Sequence, residues 1–177
     1  MNYVALLRGI NVGGNSKVSM IKLKEVFESY GFLNVKTYIN SGNVIFESSK
    51  KKAIELENDI EGLLEKTFFP IVVVVISEED LNKVIAEAPK SWKTDEDLRK
   101  YVGFMKSPSK PEDVVKEAQL KEGIDFLDTG PGVIYMTTKM EGITKSNFSK
   151  LAAKKIYKQM TIRNINTALK LSELLMK

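Results

Sequence analysis

The residues best equipped to hold a ligand fall in short polar runs. One is Arg8-Gly9-Ile10-Asn11-Val12-Gly13-Gly14-Asn15-Ser16, and another is Asn40-Ser41-Gly42-Asn43. Arginine pairs with phosphate through a planar fork of donors. Glycine lets backbone amides approach an anion closely. Asparagine presents a donor and an acceptor on one side chain. Arg8, Asn11, Gly13, Gly14, Asn40, Ser41 and Asn43 are therefore read as ligand-binding residues. A third run, Arg163-Asn164-Ile165-Asn166-Thr167, repeats the combination, and Arg163, Asn164 and Asn166 join the set. The spacing Gly9-x4-Gly14-Asn15-Ser16 mimics a P-loop, but Asn15 stands where that motif needs its lysine and Lys17 lies two residues on. A P-loop NTPase is rejected on that ground.

Composition narrows the chemistry further. The 177 residues include no cysteine and no histidine. Ser-His-Asp and Cys-His pairs are therefore impossible, and zinc sites of the usual nitrogen and sulfur type are excluded. No metal and no cofactor is expected. Catalysis would fall to groups such as Asp, Glu, Lys or Tyr, and no acid pair has convincing spacing. Asp125 and Asp128 flank a hairpin and read more simply as turn residues. The longest apolar run, Ile71 to Ile76, has strand length and not the roughly 18 residues of a membrane span. The first residues lack a basic n-region and a cleavage site. The expectation is a soluble cytoplasmic protein with no membrane partner.

Charge is uneven. Residues 1–98 carry 12 basic and 15 acidic side chains, whereas residues 99–177 carry 15 and 8. Lys150, Lys154 and Lys158 recur every four residues, with Lys155 beside them. On a helix over 146–158 they form one basic stripe opposite Phe148, Leu151, Ala152 and Ile156. A solvated helix face accounts for this pattern, and a nucleic-acid surface that tracks phosphates is the functional alternative.

The elements that must position these groups follow from periodicity and turn chemistry. Tyr3 to Arg8 reads as a buried strand. Ser19 caps a helix whose Met20, Leu23, Val26, Phe27 and Tyr30 share one face, and Gly31 stops it. Val35 to Ile39 and Val44 to Phe46 pair across the 40–43 turn. A second amphipathic helix runs from Ala53 to Phe68, and Pro70 precedes a strand over 71–76. This is the βαββαβ order of ferredoxin-like folds. A short helix opens at Ser77. Tyr101 to Lys106, a helix from Pro111 to Gln119, and a hairpin around Asp128 to Gly132 then echo the first half, and two helices over 146–158 and 163–176 finish the chain. The reading is α+β: two ferredoxin-like α/β subdomains from an internal βαββα duplication, with mainly antiparallel sheets. They span residues 1–88 and 100–177, with 89–99 as linker. In this topology the loop at 9–18 and the turn at 40–43 leave the same sheet edge, so Arg8, Asn11, Asn15, Asn40, Ser41 and Asn43 should gather there.

Three segments together carry a resemblance. Ala5-Leu6-Leu7-Arg8-Gly9-Ile10-Asn11-Val12-Gly13-Gly14, Tyr38-Ile39-Asn40-Ser41-Gly42-Asn43-Val44-Ile45-Phe46 and Thr161-Ile162-Arg163-Asn164-Ile165-Asn166-Thr167 resemble the bacterial family called domain of unknown function 1697. The resemblance implies two α+β subdomains of ferredoxin-like character and no established activity. The chain departs from the family's pattern at Asn40, where Gln is common, and at Ile165, where Trp is common. The expectation drawn from the residues is a binding module for a phosphate-bearing ligand, a nucleotide or nucleic acid. The alternatives are an interaction protein whose motifs are turns and caps, and an enzyme that uses neither His nor Cys on a phosphorylated substrate. Oligomeric state is left open.

Overall fold

The computed structural model describes residues 1–14, 16–50 and 52–176. The chain divides into two compact units, Met1–Leu81 with Lys170–Lys177, and Asn82–Leu169.

The first unit runs β1 (Asn2–Leu7), α1 (Met20–Ser29), β2 (Leu33–Tyr38), β3 (Asn43–Glu47), α2 (Ala53–Thr67) and β4 (Val73–Ser77), and α3 (Glu78–Ala86) begins there. The sheet order is β2-β3-β1-β4, and every pairing is antiparallel. This is the ferredoxin-like arrangement expected from the element order. Helix α1 starts at Ser19, whose Oγ accepts the Lys22 N–H at 3.3 Å. It ends in a Schellman motif. Gly31 has φ +100°, its N–H donates to Glu28 O, and the Phe32 N–H donates to Phe27 O. The rings of Phe27 and Phe32 then pack 5.6 Å apart, beside Phe46.

Strand β4 lies at the sheet edge, yet all five of its residues are buried. Two carboxylates on successive turns of α2 meet its backbone. Glu61 Oε1 accepts the Val73 N–H at 2.8 Å, and Glu57 Oε1 accepts the Val75 N–H at 3.0 Å. The i, i+4 spacing on the helix matches the i, i+2 spacing on the strand, so edge amides are satisfied without another strand.

The second unit repeats the plan. It holds α4 (Ser91–Thr94), β5 (Leu98–Met105), α5 (Pro111–Glu117), β6 (Asp125–Gly130), β7 (Val133–Lys139), α6 (Phe148–Leu151) and β8 (Met160–Asn164), and α7 (Ile165–Leu175) begins there. Its sheet order, β6-β7-β5-β8, is the same permutation, again antiparallel. The stretch 89–99, expected to be a linker, contains α4 and the first residues of β5. Trp92 on α4 is buried, stacks edge-on against Tyr135 and donates Nε1–H to Thr137 Oγ1.

Two expectations for the end of the chain are corrected. Residues 160–164 form strand β8, so the last helix starts at Ile165 and not at 163. The repeat therefore extends past βαββα to the closing strand of each sheet. Nor is 146–158 one helix. Helix α6 has four residues, Lys154 is extended with ψ 148°, and Lys155–Gln159 is a 3₁₀ turn. The reason is the spacing of the buried residues. Leu151, Ile156 and Met160 all enter one core cluster. At 100° per residue a continuous helix would point Leu151 and Ile156 about 140° apart. Burying both in one core breaks the helix and with it the lysine stripe.

A buried carboxylate secures this irregular crossover. Asp125 accepts hydrogen bonds from the Lys121 and Asn147 N–H groups and from the Ser146 and Thr138 hydroxyls. Burial works against its ionisation, but the Ser146 hydroxyl, the two amides and the Thr138 hydroxyl outweigh that and hold the carboxyl below its usual range.

Two predictions follow from the packing. A Cβ on Gly42 would stand 2.8 Å from both Leu7 Cβ and Ile10 Cδ1, and Gly42 already has φ +79°. Gly42→Ala is expected to cost about 2–4 kcal/mol in urea unfolding, combining backbone strain with overpacking. Gly14→Ala, at φ +80° with open space around it, should cost only about 1 kcal/mol. Asp125→Asn should cost about 1–3 kcal/mol at pH 7, because an amide cannot accept all four bonds. Since the folded pKa is depressed, that stabilisation is present above the unfolded pKa and fades as pH falls through the folded one. The gap between wild type and Asp125→Asn should therefore close on acidification below about pH 4.

Candidate functional site

In the first unit, the loop after β1 and the β2–β3 turn meet at one edge, as the topology requires. Asn11 joins them. Its backbone is left-handed, with φ +56°, a region asparagine tolerates. Its Oδ1 accepts the Val18 N–H at 2.8 Å, and its Nδ2 donates to Val18 O at 3.1 Å and to Asn40 O at 2.9 Å. One side chain thus closes the loop on itself and ties it to the neighbouring turn. Asn43 does similar work within the turn. It is fully buried, and its Nδ2 donates to Tyr38 O and to Ser41 Oγ. The Leu7 N–H donates to Gly42 O at 2.8 Å, and the Arg8 N–H to Val72 O at 2.9 Å.

Beside this junction is an open cleft of about 590 Å³ at the start of α1. Asn11, Gly14 and Asn40 line it, with Lys17, Ser19 and Ile21. Among the described residues of the lining, Lys17 supplies the only charge and none is acidic. The first turn of a ten-residue helix brings unpaired amide groups and positive dipole potential to the same place. Gly13 and Gly14 have φ +62° and +80° and are exposed. Arg8, Gly13, Ser41 and Asn43 lie on the same loops outside the cleft's lining. Asn15 falls outside the described residues. Lys17 misses the P-loop register and so carries no motif signal in the sequence. Its place two residues before the capping Ser19 was the available signal.

The third run belongs to the second unit. Arg163 lies on β8, opposite Val102 of β5, and is 7% exposed. Its Nη1 donates to Thr161 Oγ1 at 2.8 Å and to Ile162 O at 2.9 Å. Burial pulls its pKa down to about 10, which leaves it charged at neutral pH. Thr161 lies on β8 and serves as a partner of Arg163. The cap is Asn164, whose Oδ1 accepts the Asn166 N–H at 2.9 Å. Asn166 itself is exposed. Of the four lysines assigned to a nucleic-acid surface, Lys150 is on α6, Lys154 on the extended link, and Lys155 and Lys158 on the 3₁₀ turn. They do not share a helix face.

No match is found among curated proteins. Among solved structures, the chain is similar to the conserved bacterial protein SP0830 from Streptococcus pneumoniae. The identity is 31%, 98% of each chain is covered and the TM-score is 0.86. The family described as "Protein of unknown function (DUF1697)" matches residues 1–135, which takes in residues 1–81 of the first unit and, in the second, β5, β6 and the first three residues of β7. The chain belongs to the DUF1697 family.

Proposed function

We propose that this protein is a binding module for a phosphate-bearing ligand, a nucleotide or the backbone of a nucleic acid, and that it works in the cytoplasm of a bacterium. The observation that carries the reading is the cleft at the start of α1, which has one cation, no acid, exposed glycine backbone and a helix N-terminus on one wall. Lys17 is the group that meets the phosphate first. The amides near Gly13 and Gly14 contribute next, and Asn40 reads a polar edge of the ligand.

Two further features support it. Ile21 on the cleft wall is 76% exposed and Val12 on the loop is 67% exposed, so apolar surface is available for a sugar or base. Ile39, next to Asn40, has φ +49°. A β-branched residue in the left-handed region costs about 1–3 kcal/mol, a strain of the kind that gathers at binding sites. Asn11, Gly42 and Asn43 enter as the frame, since their groups are engaged in holding the two loops together. The bacterial setting follows that of the similar protein from Streptococcus pneumoniae. The lack of cysteine excludes disulfides and is compatible with a reducing compartment, and among the described residues no helix is long and apolar enough to cross a membrane.

The test is a thermal-shift titration with pyrophosphate, ADP and an eight-nucleotide oligothymidylate, at 50 and 500 mM salt. A ligand at 100 times its Kd should stabilise the protein by about 2.7 kcal/mol. The expected result is a shift with ADP that survives high salt and falls at least tenfold in apparent affinity in Lys17→Ala. A shift with the oligonucleotide alone, lost at high salt, assigns the binding to dispersed surface lysines instead. Silence from all three turns the loop motifs into architecture and the protein into an interaction module.

A further inference from the structure

The second unit contains a cleft that the ligand-binding motifs do not touch. It measures about 440 Å³, within the range of small-molecule sites, and opens between β5, β7 and the irregular crossover 140–159. Its origin lies in the difference between the two units. In the first, the crossover from β3 to β4 contains α2, fifteen residues long. In the second, the crossover from β7 to β8 has only a four-residue helix between 3₁₀ turns. A shorter cover leaves part of the sheet face open.

The lining has a definite chemistry. Tyr101 from β5, Phe148 from α6 and Tyr157 from the 3₁₀ turn each present a half-buried ring. Arg99, two residues before Tyr101 on the same face of β5, supplies the only charge among the described residues of the lining. Among the described residues, the Arg99 guanidinium has no ion pair or hydrogen bond within the protein. The Tyr101 hydroxyl and those of Thr144 and Ser149 likewise make no hydrogen bond there. Among the described residues, no acidic residue lines the cleft. The wall is held in advance of any ligand, because Asp125 fixes Ser146 and the Asn147 amide. A rigid cleft with aromatic sides, an uncommitted arginine and spare hydroxyls suits a flat ring that carries an anion.

We propose that this cleft binds a small planar aromatic molecule bearing one anionic group, with Arg99 pairing the anion and Tyr101, Phe148 and Tyr157 packing on the ring. The anion is a carboxylate or a phosphate. The site is independent of the cleft at α1.

The experiment is a titration of the full chain followed by amide chemical shifts, using 4-hydroxybenzoate and adenosine 5′-monophosphate as anionic probes. Benzyl alcohol and adenosine serve as neutral counterparts, and acetate as an anion with no ring. The expected result is that at least one anionic probe binds at millimolar or tighter affinity and shifts amides of residues 99–101, 138 and 144–157. Its neutral counterpart and acetate should bind at least tenfold more weakly. Binding of 4-hydroxybenzoate alone identifies a carboxylate site, and binding of the nucleotide alone a phosphate site. Arg99→Ala, an exposed change whose melting curve should match wild type, should weaken binding about tenfold, and Arg99→Lys should restore part of it. Lys17→Ala should leave it unchanged. The proposal is overturned if neither probe binds at several millimolar, or if the only amides that shift are those of residues 11–21. It also fails if affinity falls in Lys17→Ala and not in Arg99→Ala. The α1 reading fails separately, through loss of the ADP response alone.

Discussion

The close approach of the Gly42 backbone to Leu7 and Ile10 is the contact on which the first unit's loop region depends. The glycine leaves no room for a Cβ, and its carbonyl receives the Leu7 N–H. The end of β1 and the start of β3 are thereby held together before any loop side chain is considered. Asn11 then reaches Asn40 O, and Asn43 fastens the turn from inside. Each polar group is paired where it is buried, so the junction avoids the cost of orphaned amides. The cleft at α1 exists because these contacts hold the glycine-rich loop to one side of the helix start.

The two units meet the same problem with different means. Each must carry the chain from its third strand back to an edge strand and cover a sheet face on the way. The first unit uses one long helix, and Glu57 and Glu61 on that helix satisfy the edge amides of β4. The second unit uses short turns, which cannot hydrogen-bond themselves into a stable rod. Its order comes from a single carboxylate, Asp125, that gathers four donors from three parts of the chain. A long helix leaves little open space against the sheet. A tethered irregular segment leaves a cleft whose walls are nonetheless fixed.

The sequence was most readable where local signals agreed with the tertiary fold. The Ser19 cap, the Gly31 stop and the 40–43 turn all act over a few residues, and all recur in the structure. The family segments were readable for the same reason, as runs of turn and cap residues. Strand β8 was not. It has five residues, contains a charged side chain and passes into α7 with no glycine or proline between. Its strand character comes from pairing with β5, a partner 55 to 63 residues earlier in the chain. The lysines misled for a related reason. Their spacing of four is a helix signal, but the core selects Leu151, Ile156 and Met160, and burial of those residues outweighs the propensity of an exposed charged face. Asp125 read as a turn residue because nothing local shows that Ser146 and Asn147 will return to it.

The two arginines of the second unit make the same point about function. Arg163 sits in a run that resembles a family motif, which drew attention to it as a ligand contact. It is buried on β8 and hydrogen-bonded to its own strand, through Thr161 and Ile162. A buried charge must be met by the protein itself, and a group so engaged gives up little more to a ligand. Arg99 belongs to no motif and lies exposed on the rim of an aromatic cleft. Water alone solvates it, so a carboxylate or phosphate can replace that water at little cost and gain a bidentate pair. Motif membership marks which residues the fold requires. Readiness to bind depends on which polar groups the fold leaves unengaged.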